Sequence, residues 1–363
     1  MLALLADSGE VILLEWVVGL TVGLALLGSL LYVGLFVARL IQEKHNRYDS
    51  RREEELADAI FGALYADGEP PTLASLPRRR DVHLLQRAYI AIISHLRGND
   101  RQKAAALLRE SGLAPSIYDS AVSTKADWRE EAARLLKHFQ TTESYRRLEW
   151  LLEDPVYAVR LQAAHSLVMM ERVNDLKDLL ERLAPEEMSA SLMLSDLFHS
   201  LQPKLLQQAL TMLDKDINHE WKVYFIHAFG ERDIPDAAQT LVQHLDDPEE
   251  SVRAACWQSL YRLDDPIASE YLERGLNDTS PDVRSQAANC AGMLKDTRFA
   301  SQLELLLMDP DWWVRFRAAL ALYNMKKTGQ AILRKAAERK EEPQRTIAEQ
   351  VLREHGQLKN QPA

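Results

Sequence analysis

The sequence contains few cysteines and no excess of positive charge. Cys256 and Cys290 are its two cysteines, and neither belongs to a closely spaced pair such as Cys-x-x-Cys. Their spacing argues against a disulfide framework and a cysteine metal site, and it favours a reducing compartment. The formal net charge is −10. This charge argues against nucleic acid as a partner, because such binding depends on a basic surface.

The common catalytic motifs are missing as well. The sequence has no nucleophile elbow, no glycine-rich phosphate loop and no helical metal-binding motif, and its 10 histidines are scattered. We therefore expect no catalytic residue, no bound metal and no cofactor.

A long hydrophobic run is present near the N-terminus. Residues 16–38 carry no charged side chain, and a helix of this length would span about 34 Å, enough for a hydrocarbon core of roughly 30 Å. Residues 1–15 lack Lys and Arg, unlike the start of a secretory signal peptide. Basic residues follow the run at Arg39, Lys44, Arg47, Arg51 and Arg52. The positive-inside rule then predicts a single-pass membrane protein with its N-terminus outside and the remaining chain in the cytoplasm.

The strongest pattern is an internal period of about 31 residues, a length typical of one structural repeat in a solenoid. Val-Arg pairs end at Arg160, Arg253, Arg284 and Arg315, and these arginines are the anchors of the period. The last three anchors follow one another at one period each, and three periods separate the first from the second. The same period predicts further copies at three positions and a last one near Arg345. These three positions are Arg129, Ser191 and Lys222.

Each copy has the sequence of a helical hairpin. An alanine pair and an apolar residue follow most anchors on one helical face, and an Asp stands six residues before most of them. Pro follows this Asp at Pro155, Pro248 and Pro310. The pattern predicts that Asp ends one helix in a turn and that Pro starts the next. One hairpin cannot bury its apolar face alone, so the hairpins are expected to stack into a solenoid.

The motif Asp-Pro-x-x-x-Val-Arg-x-x-Ala-Ala-x-x-Leu resembles the short bacterial HEAT-like repeat, also called the phycobilin-lyase-type repeat. Residues 148–167 and 303–322 match it almost completely, and the resemblance covers about residues 120–355. It implies that the turn Asp and the helix Arg form a structural hydrogen-bonded ladder along the stack. The ladder residues would be Asp154, Arg160, Asp247, Arg253, Asp278, Arg284, Asp309 and Arg315.

The expected fold class is all-α, an α-solenoid of about seven to eight HEAT-like hairpins with one N-terminal transmembrane helix. The predicted divisions are a short extracytoplasmic N-terminus (1–15), the transmembrane helix (16–38), a charged juxtamembrane stalk (39–55), a helical cap (56–120), the repeat solenoid (121–355) and a C-terminal tail (356–363).

Some families built from such repeats are enzymes. Deoxyhypusine hydroxylases place His-Glu directly after the anchor to hold iron, whereas His219-Glu220 here precedes the anchor Lys222 and is out of register. Phycobilin lyases supply no catalytic residue that can be transferred to this sequence. A phycobilin-lyase-type enzyme or enzyme subunit remains the alternative function.

A protein-binding scaffold is the preferred function. Trp312 and Trp313 stand at the start of the last strong repeat, with Phe316 and Arg317 close behind, and Tyr224 is expected to extend the surface along the inner curve. Exposed Trp and Arg are frequent anchors of protein interfaces. The alternative is that Trp313 packs on the C-terminal repeat and Trp312 covers the turn. The layout resembles bacterial inner-membrane proteins that accompany envelope or exopolysaccharide glycosyltransferases. That resemblance implies a membrane-anchored accessory subunit with a membrane-associated protein partner.

Overall fold

The computed structural model describes residues 2–66, 68–76, 79–183, 192–213, 217–232, 234–340 and 342–357, of which the side chains at 2–19, 21–26, 28, 41, 45, 73, 79 and 80 are left out. The chain forms two compact units, residues 1–139 and residues 140–363. Helices joined by turns and irregular loops make up these described ranges, which contain no strand.

The first unit is built on one very long helix. Its helices are α1 (Leu2–Tyr65), α2 (Arg79–His95), α3 (Gly98–Glu110), α4 (Ala114–Ser120) and α5 (Ala126–Leu136). Leu56 and Ile60, one helical turn apart on α1, are buried against α2, where Leu85 and Ala88 are also buried. The apolar side chains that recur at helical spacing therefore form the core of this unit.

The helix α1 bears on the predicted localisation. It runs without interruption from the apolar residues through residues 39–55 to Tyr65. In the part of the chain that the structure describes, no helix combines the length and the apolar character that a membrane crossing requires. By this criterion the transmembrane helix at 16–38 is a wrong prediction. The predicted inner-membrane localisation, with the N-terminus outside and the repeats in the cytoplasm, is wrong with it, and the predicted membrane contact has no support among the described residues. The apolar run is one part of a longer helix that also contains the charged residues.

The second unit contains the regular repeats. Its helices are α6 (Thr142–Leu151), α7 (Tyr157–Met169), α8 (Leu176–Leu183), α9 (Leu192–His199), α10 (Pro203–Leu213), α11 (His219–Glu231), α12 (Ala237–Gln243), α13 (Glu250–Leu263), α14 (Leu272–Leu276), α15 (Pro281–Leu294), α16 (Ala300–Leu306), α17 (Trp312–Asn324), α18 (Lys327–Ala337) and α19 (Gln344–Glu354). The second helices of successive repeats pack against one another: α11 packs against α13, α13 against α15, α15 against α17, and α17 against α19. The unit is a stack of helical hairpins, as the sequence period predicts.

The helix starts follow the period closely. The helices α13, α15 and α17 begin at Glu250, Pro281 and Trp312, each three residues before its Arg anchor. The predicted copy at Ser191 lies outside the described residues, and α9 begins at Leu192. The boundary between the two units, at residues 139 and 140, falls inside the predicted repeat domain 121–355.

The turn between the two helices of a repeat differs slightly from the expectation. Pro155 and Pro310 precede their helices by two residues instead of starting them. The reason is the side chain of the turn Asp, which accepts a hydrogen bond from the backbone N–H two residues later. Val156 N donates to Asp154 Oδ1 at 2.9 Å in this way. Such an Asx turn fixes the chain in a non-helical conformation through the proline.

The alanine pairs allow the second helices to approach one another closely. Ala287, Ala288, Ala318 and Ala319 are fully buried. Gly292 of α15 approaches the α17 backbone so closely that a Cβ built there would lie 2.6 Å from the Cα of Ala321. Small residues are therefore required where these helices meet.

Candidate functional site

Two of the predicted ladder arginines form two-point ion pairs with the aspartate of the following repeat. Arg253 donates from Nε and Nη2 to the two carboxylate oxygens of Asp278, at 2.9 and 2.8 Å. Arg284 binds Asp309 in the same way, at 2.7 and 2.9 Å. We call each such pair between neighbouring repeats a rung. Two parallel hydrogen bonds to a mostly buried carboxylate fix both the distance and the angle between repeats.

Each ladder arginine also holds the turn of its own repeat. Its Nη1 donates to the backbone oxygen of the Asp six residues earlier, at 2.7 to 2.9 Å. The four donors are Arg160, Arg253, Arg284 and Arg315. One guanidinium thus joins the turn within a repeat to the turn of the next repeat wherever a rung is formed.

The carboxylates of the rungs are stabilised in their charged form. Burial acts to raise the pKa of Asp278, but hydrogen bonds from Arg253 and the backbone of Ser280 outweigh burial and hold this pKa below its ordinary value. The hydrogen bonds to Asp278 hold the pKa of the Arg253 guanidinium above its ordinary value, against the opposing effect of burial. The pair is therefore ionised throughout the neutral range.

The pairing at the arginine position differs at both ends of this region. At the earlier end Lys222 takes the place of Arg and contacts Asp247 with a single 3.0 Å ion pair. At the later end Arg315 donates its Nη1 to the backbone oxygens of Asp309 and Pro310. In both rungs the aspartate lies 25 residues after its arginine, and the same spacing from Arg315 leads to the exposed Lys340.

Three aromatic side chains gather at the start of α17. We call Trp312, Trp313 and Phe316 the aromatic trio. The rings of Trp312 and Phe316 are stacked, with centroids 5.1 Å apart and planes 8° from parallel. Trp313 meets Trp312 edge to face at 4.8 Å. Trp312 and Trp313 are 42% and 58% exposed, and Phe316 is half-buried. The trio is therefore an organised surface and not part of the core.

Other side chains near the trio have mixed roles. Leu305 and Met308, in and just after α16, are also exposed on the same repeat. Arg317 is half-buried, and its Nη1 lies 3.5 Å from the side-chain oxygen of Asn289 on α15. Arg317 thus borders the surface while contacting the preceding repeat.

Tyr224 lies apart from the trio. It is half-buried on α11 and stacks on Phe198, with ring centroids 5.3 Å apart and planes 14° from parallel. The helices α13 and α15 stand between α11 and α17 in the stack. Tyr224 therefore belongs to an aromatic contact between α9 and α11 and is not part of the same surface.

The first unit contains a polar cluster that sequence reasoning missed. Nε2 of His83 lies 3.3 Å from a carboxylate oxygen of Glu131, and Arg87 contacts both Glu131 and Glu53, at 3.8 and 3.3 Å. The His83 ring also packs on Trp128, at 4.4 Å between centroids. Burial raises the pKa of Glu131 to about 7, and burial together with Arg87 lowers the pKa of His83. The cluster joins α1, α2 and α5, and its members are too far apart in sequence to form a motif.

Neither cysteine is exposed. Cys256 and Cys290 are fully buried, and burial raises the pKa of each thiol, that of Cys290 to about 12. Both act as small apolar residues of α13 and α15. Within the ranges that the structure describes, no three His, Cys, Asp or Glu side chains come together as a metal site.

Comparison with known families identifies the repeats. A family model described as HEAT repeats matches residues 203–280 and 274–353. These residues carry HEAT repeats, and they include both rungs and the aromatic trio. No curated protein sequence matches the chain.

Solved structures show similarity at the level of the fold. Kap121p bound to Pho4p is 15% identical, with a TM-score of 0.43 over 83% of this chain and 41% of that chain. Kap121p bound to RanGTP is 15% identical, with a TM-score of 0.39 over 79% of this chain and 38% of that chain. An engineered protein is 15% identical, with a TM-score of 0.33 over 83% of each chain. The chain thus spans about two-fifths of the Kap121p chain that it matches. Likeness at this identity concerns the fold alone.

Proposed function

We propose that this protein is a non-catalytic scaffold that binds another protein through the aromatic trio of α17. The observation that carries the proposal is the exposure of Trp312 and Trp313 on a rigid repeat. HEAT repeats are stacked hairpins with extended surfaces, and such solenoids are generally used for binding. The fold alone does not specify a partner, so the argument rests on the surface.

The trio has the physical properties of an interface anchor. Large aromatic side chains supply most of the binding energy at many protein interfaces. The stacking of Trp312 on Phe316 and the edge contact with Trp313 restrict the side chains before a partner arrives. Binding then costs less side-chain entropy than it would for freely rotating rings.

We assign the ladder residues a structural role. In the two rungs every carboxylate oxygen of Asp278 and Asp309 accepts hydrogen bonds from the protein itself. These aspartates are mostly buried, with exposed side-chain fractions of 11% and 5%. A ligand would have to displace charge-assisted hydrogen bonds that already stabilise the repeat stack.

We keep the predicted division of this part of the chain as a proposal, with a helical cap (56–120), a repeat domain (121–355) and a C-terminal tail (356–363). Residues 358–363 of the tail lie outside the described ranges. The proposed binding surface does not include Tyr224, whose ring packs on Phe198. The narrower hypothesis of an accessory subunit in an envelope or exopolysaccharide glycosyltransferase complex rests on a resemblance of layout, a transmembrane helix followed by HEAT-like repeats, and the described residues contain no such transmembrane helix.

The test is affinity purification of the full chain from cells that produce it, with matched variants. The double variant Trp312→Ala/Trp313→Ala removes the exposed part of the trio. Trp150→Ala is the control, because Trp150 is 54% exposed on α6, away from α17. We expect a stoichiometric protein partner that the double variant loses and the control keeps, with both variants unfolding at nearly the wild-type temperature.

Two outcomes would contradict the proposal. A partner that persists with the double variant would show that the trio does not form the interface. Purification of a bound chromophore without any protein partner would favour the phycobilin-lyase alternative.

A further inference from the structure

A narrow cleft opens on the first unit, where α3 and α5 both pack against α2. The side chains that line it come from α2, α3 and the end of α5: Ile90, Ile93, Ser94, Arg101, Arg134, Leu135, Lys137 and His138. The cleft encloses about 60 Å³, whereas pockets for whole small molecules usually measure about 300–1,000 Å³. It therefore suits one small chemical group, and not a nucleoside or a sugar ring.

The polar wall of this cleft is positive. Arg101, Arg134 and Lys137 line it, and none of the described lining residues is Asp or Glu. Arg134 is already paired, because its Nη2 donates to Glu130 at 2.8 Å. The side chains of Arg101 and Lys137 form no hydrogen bond or ion pair with any described residue. Two half-buried cations therefore line the cleft without a counter-charge from the described part of the protein.

The basic side chains are close enough to act on one another. Burial, together with Arg101 and Arg134, lowers the pKa of Lys137 to about 8. Burial, together with Lys137 and Arg101, lowers the pKa of His138 to about 3, so its imidazole is neutral at pH 7. Part of each shift is repulsion between like charges at the cleft. An anion bound among these side chains would relieve that repulsion.

The end of α5 does not explain this charge. Basic side chains are common near a helix C-terminus, where they offset its negative end. Here the backbone oxygen of Leu135 accepts the backbone N–H of His138, and the backbone oxygen of His138 accepts from Arg109 at 3.2 Å. Arg101 belongs to α3, so its position in the cleft has no relation to the end of α5.

We propose that this cleft binds a phosphate group, held by Arg101, Arg134 and Lys137. A guanidinium meets phosphate oxygens with two parallel hydrogen bonds, and an ammonium adds a compact positive charge. A phosphate dianion balances the two unpaired cations, whereas a carboxylate would balance only one. The apolar side chains of Ile90 and Ile93 limit the access of water, which strengthens the attraction. The site is independent of the aromatic trio and of the proposed function.

The phosphate group has two possible sources, the free ion or a phosphorylated molecule. The first measurement is thermal unfolding of the full chain with inorganic phosphate at pH 7, with chloride keeping the ionic strength constant. We expect the unfolding temperature to rise and then to saturate, because a ligand of the folded state stabilises it. N-acetyl-O-phosphoserine amide is titrated in the same way. Tighter binding of this ester would assign the site to a phosphorylated molecule, and weaker binding to the free ion.

Matched variants test whether the cleft is the binding site. Arg101→Gln and Lys137→Gln each remove one cation from the cleft. The control Lys103→Gln removes an exposed cation of the same helix α3, which contacts Asp100 at 3.8 Å. Each cleft variant should weaken the binding of inorganic phosphate about tenfold or more, and the control by less than about twofold. Because the cleft variants relieve repulsion, they should unfold near the wild-type temperature without phosphate, so that lost binding cannot be attributed to unfolding.

A second readout reports on Lys137 in the unaltered protein. Lysine amines are acetylated with acetic anhydride at pH 8, and the modified positions are quantified by mass spectrometry. A bound anion favours the protonated, unreactive ammonium form of a nearby lysine. Inorganic phosphate should therefore slow the acetylation of Lys137 about fivefold, while Lys103 stays within about twofold of its rate without phosphate.

Three results would overturn the inference. The first is stabilisation by phosphate that is equal in the cleft variants and in Lys103→Gln, since that is a general salt effect. The second is stabilisation that does not saturate, and the third is a Lys137 that phosphate leaves fully reactive. The double variant Trp312→Ala/Trp313→Ala should bind phosphate normally, so its result with a protein partner bears on the proposed function alone.

Discussion

The late repeats, residues 247–324, and the middle stretch, residues 174–183 and 192–213, hold their helices together by different means. The late repeats use rungs in which a guanidinium binds a mostly buried carboxylate 25 residues later in the chain. In the middle stretch the Gln208 side chain accepts from the backbone N–H of Leu176 and donates to the backbone oxygen of Asn174, both at 2.8 Å. Arg182 adds ion pairs to Glu149 and Glu153 of the preceding repeat.

The difference shows that sequence regularity and rungs depend on one another. A rung requires Arg and Asp at a fixed spacing, so the late repeats keep both the residues and the period. At the corresponding places the middle stretch has Ser191 for the anchor and Pro185 in the aspartate register of Arg160. Hydrogen bonds to the backbone do not require a particular residue at the partner position, so the middle sequence is freer to vary.

The largest expected effect is the loss of a rung. Asp309→Ala removes both hydrogen bonds to Arg284 and the turn contact with the backbone of Asp311, and it leaves a partly buried cation unpaired. We expect the free energy of unfolding to fall by about 3–5 kcal/mol, measured by denaturant titration. The control Asp246→Ala breaks an exposed pair with Arg274 and should cost less than about 1 kcal/mol. Similar losses for the two variants would show that the rungs contribute no special stability.

The next effect concerns the close approach of α15 and α17. Gly292→Ala places a methyl group 2.6 Å from the Cα of Ala321, so the helices must separate. We expect a loss of about 1–3 kcal/mol, measured by thermal unfolding. Gly62→Ala is the control, because its Cβ would meet nothing within 4 Å on α1, and it should be neutral or stabilising by up to about 1 kcal/mol. Equal losses for the two variants would show that α15 and α17 do not require a small residue at position 292. The middle stretch contains no glycine and so has no close approach of this kind.

A smaller loss is expected in the middle stretch. Gln208→Ala removes two hydrogen bonds to backbone groups of residues 174 and 176. We expect a loss of about 1–2 kcal/mol and faster amide hydrogen exchange confined to α8 and α10. A loss as large as that of Asp309→Ala would mean that the two regions do not differ in how they are stabilised.

The smallest effect is a dependence on pH. The folded-state pKa of Asp278 lies below the ordinary value of 3.8, so its contribution to stability is present above pH 3.8 and is lost as the pH falls through the folded-state pKa. The difference in unfolding temperature between the wild type and Asp278→Asn should therefore shrink below pH 3.8. The difference for Gln208→Ala should stay constant over the same range, because no titrating group is involved. A constant difference for Asp278→Asn would contradict the ion-pair account.

Much of the repeat architecture can be predicted from the sequence, because each hairpin has the same neighbours as the previous one. The anchors at Arg253, Arg284 and Arg315 lead to helices that begin three residues earlier in every case. One departure is the first helix of a late repeat, which is divided into a 3-10 segment, Pro266–Glu270, and the short α14. Pro266 follows a capping Asp265 whose side chain accepts from the backbone of Ile267, and this local contact competes with a longer helix.

The candidate site was harder to predict. The position of Trp312 and Trp313 in the repeat is evident in the sequence, but a tryptophan serves equally well in a core and at an interface, so exposure requires the structure. The contacts of Glu131 with His83 and Arg87 join distant parts of the sequence. Their geometry depends on how α2 meets α5, which no local pattern encodes.

The spacing of the rungs has a consequence for how such a protein can change in length. A tandem duplication of residues 254–284 would insert one complete period and bring with it a second copy of Asp278 and Arg284. Each arginine, original or copied, would again find an aspartate at the same distance downstream, so every rung would be preserved. Growth by whole modules is therefore tolerated by the late repeats, whereas insertions of any other length between an arginine and its aspartate would break the register.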